Sequence, residues 1–217
     1  MIQNIDCFEG FKGLADDSYN HVLTSPPYNR KRNDKYSNYD DTLTDYFLFL
    51  TKTIDEALRI SKDYVFFNIQ KNYYNKSDVY KLIGHYGEKI IDIIIWNKSN
   101  PMPANGVNVT NAYEFILVLS KTHATIKSNS TYTKNHFTTN VFSNNKNTKV
   151  HKAVMHPEAC RYVIDNFTKE GDSILDPFAG LGTTELVAIE SNRTCDGFEL
   201  SEEYCQIAND RIQKAAT

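Results

Sequence analysis

Nothing in this 217-residue chain suggests export, a metal cage or a membrane span. Its cysteines, Cys7, Cys160, Cys195 and Cys205, include no C-x-x-C pair. His151, His156 and Cys160 lie close together, but their spacing matches no standard zinc pattern, so no metal site is expected. Reduced thiols in an intracellular protein are the default reading. The opening MIQNIDCFEG has no charged segment leading into an apolar core, which argues against a signal peptide. No apolar run nears the roughly 18 residues that cross a bilayer. We therefore expect a cytoplasmic protein without a membrane partner. A positive charge excess is also missing, since the net charge is −3. That global figure averages over faces, and a basic stripe fits inside an acidic total. There is no internal repeat. With 41% hydrophobic and 24% charged residues, the composition is that of an ordinary globule. The length suits one domain, 1–217, with little room for a second.

What is present is a series of short apolar, β-branched runs: His21–Thr24, Tyr64–Ile69, Ile90–Trp96, Phe115–Leu119, Ser173–Asp176 and Thr194–Phe198. Continuous apolar runs of this length suggest strands buried on both faces, as in a parallel sheet. Between them, Leu43, Phe47, Leu50, Ile54 and Leu58 recur at helical spacing, as do Tyr204, Ile207, Ala208 and Ile212. Ser201 offers the second helix an N-cap, and Glu202 and Glu203 suit its first turn. Pro157 suits the first position of another helix, which Gly171 is placed to close. This alternation predicts an α/β fold, a doubly wound and mostly parallel Rossmann-like sheet with helices on both faces.

Two stretches break the pattern. Arg30 to Asp41 is polar and aperiodic. Lys121 to Lys152 is rich in Asn, Thr and Ser, with Lys121, Lys127, Lys134, Lys146, Lys149 and Lys152 but no acid. An irregular insert of that length in a compact domain is usually functional or disordered. Its lysines, interleaved with Tyr132, Phe137 and Phe142, suit a surface facing nucleic acid.

Two segments carry chemistry. DPFAGLGTT, Asp176–Thr184, follows the strand SILD directly. Glycines at a strand-to-helix turn let backbone approach a ligand closely. Glu199 ends the next strand, where a carboxylate accepts both hydroxyls of a cofactor ribose. The alternative is a tight turn with a surface glutamate. TSPPYN, Thr24–Asn29, follows the strand HVLT, and its prolines fix a rigid loop at that strand's carboxyl end. Open α/β sheets place their ligands at that end.

In this order the segments closely resemble the β group of DNA amino-methyltransferases. That family has a (D/S/N)-P-P-(Y/F/W) catalytic loop first and an F-x-G-x-G cofactor loop later. Here they are Ser25-Pro26-Pro27-Tyr28 and Phe178-Ala179-Gly180-Leu181-Gly182. Asn4-Ile5-Asp6-Cys7 is similar to the family's opening "GDC", departing at Asn4 and Ile5. His156-Pro157 resembles its "HP" element, Asn38–Asp41 the segment after the catalytic loop, and Ile95–Lys98 with Pro101 a later strand and turn.

The resemblance implies a circularly permuted methyltransferase fold with S-adenosylmethionine as cofactor. Asp6, Cys7, Asp176, Phe178, Ala179, Gly180, Gly182, Thr183, Glu199 and Leu200 would hold it, Asp6 facing the adenine. It further implies a DNA base flipped from the duplex and stacked on Tyr28. Ser25 and the Pro26 carbonyl would accept its amino hydrogens and aim the nitrogen lone pair for direct transfer. Cytosine-C5 chemistry needs a cysteine nucleophile, usually in a Pro-Cys pair; there is none here, so the cysteines are read as structural. Ser-Pro-Pro loops lean toward N4 of cytosine over N6 of adenine.

For DNA contact the candidates are Asn29, Arg30, Lys31, Arg32, Lys134, Lys146 and Lys149, with 121–152 at the family's target-recognition position. A homodimer or a second specificity subunit is the further partner considered. Two other functions share parts of this pattern. RNA or protein-glutamine methyltransferases use Asn-Pro-Pro-Tyr loops, but normally after the cofactor loop. A non-catalytic DNA-binding subunit would be expected to have lost part of one loop.

Overall fold

The computed structural model describes residues 1–30, 42–101, 109–122, 124–140 and 155–215. Eight strands form one sheet: β1 (Ile2–Asn4), β2 (Tyr19–Thr24), β3 (Ser61–Ile69), β4 (Ile90–Lys98), β5 (Tyr113–Leu119), β6 (His136–Thr139), β7 (Ser173–Asp176) and β8 (Thr194–Glu199). Their order is β1-β8-β7-β2-β3-β5-β4-β6. Every strand runs the same way except β5, which is antiparallel to both β3 and β4. The helices are α1 (Cys7–Lys12), α2 (Tyr46–Ile60), α3 (Lys76–His85), α4 (Pro157–Phe167), α5 (Thr183–Glu190) and α6 (Glu202–Ala215).

The period-two pleat sorts each apolar strand onto two cores. Val22, Val65, Phe67, Leu117 and Leu175 face Phe11 of α1, Leu50 and Ile54 of α2 and Val79 of α3. Their neighbours Leu23, Phe66, Ile116, Val118 and Ile174 face Cys160 and Val163 of α4 and Val187 of α5. The central strands therefore read as unbroken apolar runs, and the expected doubly wound sheet is the one observed.

Three local expectations are corrected. Helix α2 begins at Tyr46, not Leu43: the Leu43 N–H donates to Asn29 Oδ1, and Asp45 caps the helix through Leu48 N at 3.0 Å. Pro157 does open α4, with His156 Nδ1 accepting from Glu158 N, but the helix ends at Phe167. Thr168 caps it through Ile164 O, while Gly171 (φ +83) makes the later turn into β7. The polar insert is not irregular throughout. His136–Thr139 forms β6 beside β4, its Phe137 ring stacked on Tyr162 at 4.2 Å and on Trp96 at 6.3 Å. Trp96 Nε1 donates to Thr139 Oγ1 at 2.8 Å. A four-residue edge strand inside a polar tract gives too short an alternation to stand out.

Among the described residues, no helix is long and apolar enough to cross a membrane.

Candidate active site at the carboxyl edge of the sheet

The strand order reverses between β7 and β2: β8 and β1 lie to one side of that boundary, β3, β5 and β4 to the other. Such a switch point leaves a crevice above the strand ends. The glycine loop leaves β7 and the Ser-Pro-Pro-Tyr loop leaves β2, so the two loops rise side by side. One carboxylate joins them. Asp176 is 3% exposed; its Oδ1 accepts from Thr24 Oγ1 at 2.8 Å and Phe178 N at 3.0 Å, and its Oδ2 from Thr184 Oγ1 at 2.7 Å. Burial raises its pKa, partly offset by these bonds. Asp176 therefore points inward and ties the loops together, and its carboxylate does not line the crevice.

On the cofactor-loop side the geometry is made by backbone. Gly180 (φ +54) and Gly182 (φ +72) adopt the left-handed region, which strains any residue with a side chain. A Cβ at 182 would also lie 3.2 Å from Ala208 Cβ and Ile2 Cδ1. Gly180 N donates to Glu199 Oε2 at 2.9 Å, and Ser201 N to Glu199 Oε1 at 2.8 Å. Burial lifts the Glu199 pKa and these two N–H groups lower it again. Each carboxylate oxygen keeps acceptor capacity beyond its one bond.

The ends of β1 and β8 are held together by Asn4 Nδ2 on the Glu199 and Leu200 carbonyls. Asp6, just past β1, is thereby set beside Glu199, with Oδ1 capping α1 through Phe8 N. Cys7 is buried next to it, its thiol pushed up to about 12 chiefly by burial and then by Asp6. Cys160 and Cys195 are also raised by burial, so these buried thiols stay protonated. Ala179 and Thr183 are buried in the loop's packing, Phe178 is half-buried and Leu200 is exposed.

On the Ser-Pro-Pro-Tyr side the geometry is made by side chains. Because β5 runs antiparallel, its amino end meets the carboxyl ends of β3 and β4, which brings Glu114, Asn68 and Lys98 to the same edge. Tyr28 Oη lies 2.9 Å from Ser25 Oγ, 2.8 Å from Asn68 Oδ1 and 2.8 Å from Glu114 Oε2. Ser25 Oγ also reaches Asn68 Oδ1 at 3.1 Å, and Glu114 Oε1 pairs with Lys98 Nζ. Asn68 Nδ2 donates to Phe115 O, which fixes Oδ1 as the atom facing the loop. Burial, then Glu114, raises the Tyr28 hydroxyl pKa well above its ordinary range, although the ring keeps partial exposure. The loop backbone is clamped as well. Asn72 and Asn75 both donate to the Tyr28 carbonyl, at 2.7 and 2.8 Å, and Tyr46 Oη donates to the Pro27 carbonyl at 2.6 Å. Pro26 is buried.

Residues expected to face DNA are placed unevenly. Arg30 lies over the Tyr28 ring, 5.6 Å from its centroid, and donates to Gln70 Oε1. Asn29 is corrected: it is 3% exposed, and its amide exchanges both hydrogen bonds with Leu43 backbone. Lys134 is exposed but precedes β6, back along the flank of the sheet from the carboxyl edge. Lys121, past the carboxyl end of antiparallel β5, is at the opposite edge, paired with Asp17. Lys31, Arg32, Lys146 and Lys149 lie outside the described residues. The described part of the tract, 121–122 and 124–140, is therefore not one continuous face at the site. Sequence reading also missed Asn68 and Glu114, and gave Thr24 and Thr184 no role within the segments it singled out. The available signal was a polar residue inside, or opening, an otherwise apolar strand, as in YVFFNI and YEFILVL.

A doubly wound α/β domain with an acid-tied glycine loop and a rigid polar loop at its switch point is a class of nucleotide-cofactor domain. The chain belongs to the DNA methylase family, whose model matches residues 19–210. It is 36% identical over 199 residues to the type II methyltransferase M.MwoI of Methanothermobacter wolfeii, covering 84% of this chain and 29% of that protein. To M.SmaI of Serratia marcescens it is 29% identical, over 95% of this chain and 88% of that one. The chain spans under a third of the length of M.MwoI and of M.BslI, 29% and 27% respectively. Among solved structures, the cytosine-N4-specific PvuII DNA methyltransferase superposes with a TM-score of 0.76 at 19% identity, covering 99% of this chain and 90% of that one. The M1.HpyAVI–SAM complex does so at 0.68 and 25%, covering 97% and 100%.

Proposed function

We propose that this chain transfers a methyl group from S-adenosylmethionine to the exocyclic amino group of a DNA base, N4 of cytosine in first place. The observation that carries the reading is the polarity of Ser25. Its hydroxyl hydrogen is drawn inward by Asn68 Oδ1 and Tyr28 Oη, so the outward side of the oxygen is a hydrogen-bond acceptor. An acceptor on a stiff loop beside a cofactor crevice suits an amino group, whose two hydrogens need acceptors and whose lone pair is delocalised into the ring. Ser25 with the Pro26 carbonyl would hold that nitrogen, and the Tyr28 ring would stack the flipped base. The Ser-Pro-Pro loop favours cytosine over adenine, and the order of the two loops favours DNA over RNA or protein glutamine.

The crevice residues fit the cofactor. Glu199 has acceptor capacity for ribose hydroxyls at the strand end, and Asp6 adds a second carboxylate beside it. Together they complement a cationic, hydroxyl-rich ligand. When bound, S-adenosylmethionine supplies a methyl group on a positively charged sulfur. The protein's own task is then to orient the nitrogen, exclude water and remove one proton. Arg30, with Lys31 and Arg32 beyond it, would contact phosphates next to the flipped base.

The test is to incubate the protein with DNA and methyl-labelled S-adenosylmethionine, hydrolyse to nucleosides and identify the labelled product by mass spectrometry. N4-methylcytosine is expected. N6-methyladenine would overturn the choice of base, and 5-methylcytosine, or no label on any duplex, the reaction itself.

A further inference from the structure

An amino group that gains a methyl must lose a proton, and Ser25 alone is too weak a base to keep it. We infer that Glu114 is the terminal acceptor of that proton, reached through the hydroxyls of Ser25 and Tyr28; this rests on the amino-transfer reading above. Glu114 is 4% exposed, at the amino end of β5, opposite Trp96. Its Oε2 accepts from Tyr28 Oη at 2.8 Å, and Tyr28 Oη lies 2.9 Å from Ser25 Oγ. These contacts form one unbroken path from the loop surface to a buried carboxylate.

Hydrogen counting gives the path a direction. Ser25, Tyr28, Asn68 and Glu114 share four contacts but only two hydroxyl hydrogens. Asn68 Oδ1 and a carboxylate accept only. Tyr28 therefore serves Glu114 by donating, and Ser25 turns its hydrogen inward and its lone pair outward. Of the two acceptors, Asn68 is an amide and no base, which leaves Glu114 as the sink.

In the relay, the amino N–H bond breaks and its proton joins Ser25 Oγ, while the nitrogen keeps the electron pair. The Ser25 hydrogen passes to Tyr28 Oη, and the Tyr28 hydrogen to Glu114 Oε2. The positive charge that the nitrogen gains with the methyl group ends as a proton on a carboxylate, so charge and atoms balance. The Ser25–Tyr28 and Tyr28–Glu114 contacts survive with their direction reversed, the new Glu114 acid donating to Tyr28. Burial keeps tyrosinate from accumulating, so Tyr28 passes one hydrogen on as it receives another. Among the described residues, the charged groups facing the path are Lys98, paired with Glu114 and 5.2 Å from the Trp96 centroid, and Arg30 over the Tyr28 ring.

The experiment is single-turnover methylation by the whole chain with DNA and S-adenosylmethionine in excess. Glu114→Gln should slow transfer about a hundredfold or more. Calorimetric affinity for S-adenosylhomocysteine should be unchanged. The variant Glu114→Ala/Lys98→Met removes the charge pair together, which guards against an unpaired buried lysine; formate should partly restore its rate. Infrared difference spectra should show a carboxylic acid band rising with methyl transfer in the wild type and absent in Glu114→Gln. A Glu114→Gln rate within threefold of wild type, or no formate rescue and no acid band, overturns the relay while leaving methyl transfer in place. A wild type that labels no amino group on any duplex overturns both.

Discussion

The two halves of the crevice are built on different principles. On the β7–β8–β1 side, shape comes from backbone: two left-handed glycines, N–H groups on Glu199, and an aspartate that caps α1. On the β2–β3–β5–β4 side, it comes from side chains drawn from separate strands, converging on the Tyr28 hydroxyl. A backbone-made cradle recognises a ligand's general form and is rebuilt wherever the same short segment occurs. A side-chain network gives individual atoms a donor or acceptor sense, which is what a reaction at one nitrogen requires.

The comparison breaks most sharply if each half is disabled alone. Tyr28→Ala should cut single-turnover methyl transfer by about 10²–10³-fold while cofactor affinity, measured by calorimetry, stays within a few-fold. Equal losses in both would merge the halves into one site. The converse variant, Glu199→Ala, should weaken cofactor binding by about a hundredfold, from two charge-assisted hydrogen bonds of about 1.5 kcal/mol each; transfer at saturating cofactor should change far less.

Asp176 belongs to both halves, and Asp176→Ala should remove the tie between them. Three buried hydrogen bonds are lost, so a destabilisation of about 2–4 kcal/mol is expected in urea unfolding, with cofactor affinity and transfer falling together. An effect on cofactor affinity alone would show that Thr24 does not depend on it. Gly182→Ala tests the backbone half by itself. A side chain at φ +72, against Ala208 and Ile2, should cost about 1–2 kcal/mol, whereas the cost at a right-handed position would be near zero.

The smallest effect lies behind the glycine loop. Glu185 is fully buried, and neither carboxyl oxygen has a hydrogen-bond partner among the described residues. Burial, then Asp176, raises its pKa well above the ordinary carboxylate range, so the folded state favours the neutral acid. Its contribution is fully present in acid and is lost as pH rises through the raised folded value. Glu185→Gln keeps the shape and removes the titration. The melting temperature of the variant should gain steadily on wild type from mildly acidic to alkaline pH, and a constant offset would count against a titrating Glu185.

Much of this was legible before any coordinates. Strand positions followed from apolar runs because a strand covered on both faces has no polar side to interrupt it. The glycine and Ser-Pro-Pro-Tyr loops were readable because their conformations depend on residues adjacent in the chain: a missing Cβ or a locked φ. Helix α1 and strand β1 were not, being too short for a period to appear. Asn29 was misread because its neighbours are basic, whereas its partner, Leu43, is fourteen residues on.

What the chain determined by itself was therefore local: which segments are strands, where the two loops fall, and in what order. What only the tertiary structure decided was the company these loops keep. Glu114 stands 86 residues from Tyr28, and Asp176 stands 152 from Thr24. No spacing rule links them, because their meeting depends on an antiparallel β5 and on the reversal of strand order between β7 and β2. Hydrogen-bond polarity has a reach of about 3 Å, so the sense of the Ser25 hydroxyl is a property of the folded edge, not of the Ser-Pro-Pro-Tyr segment that carries it.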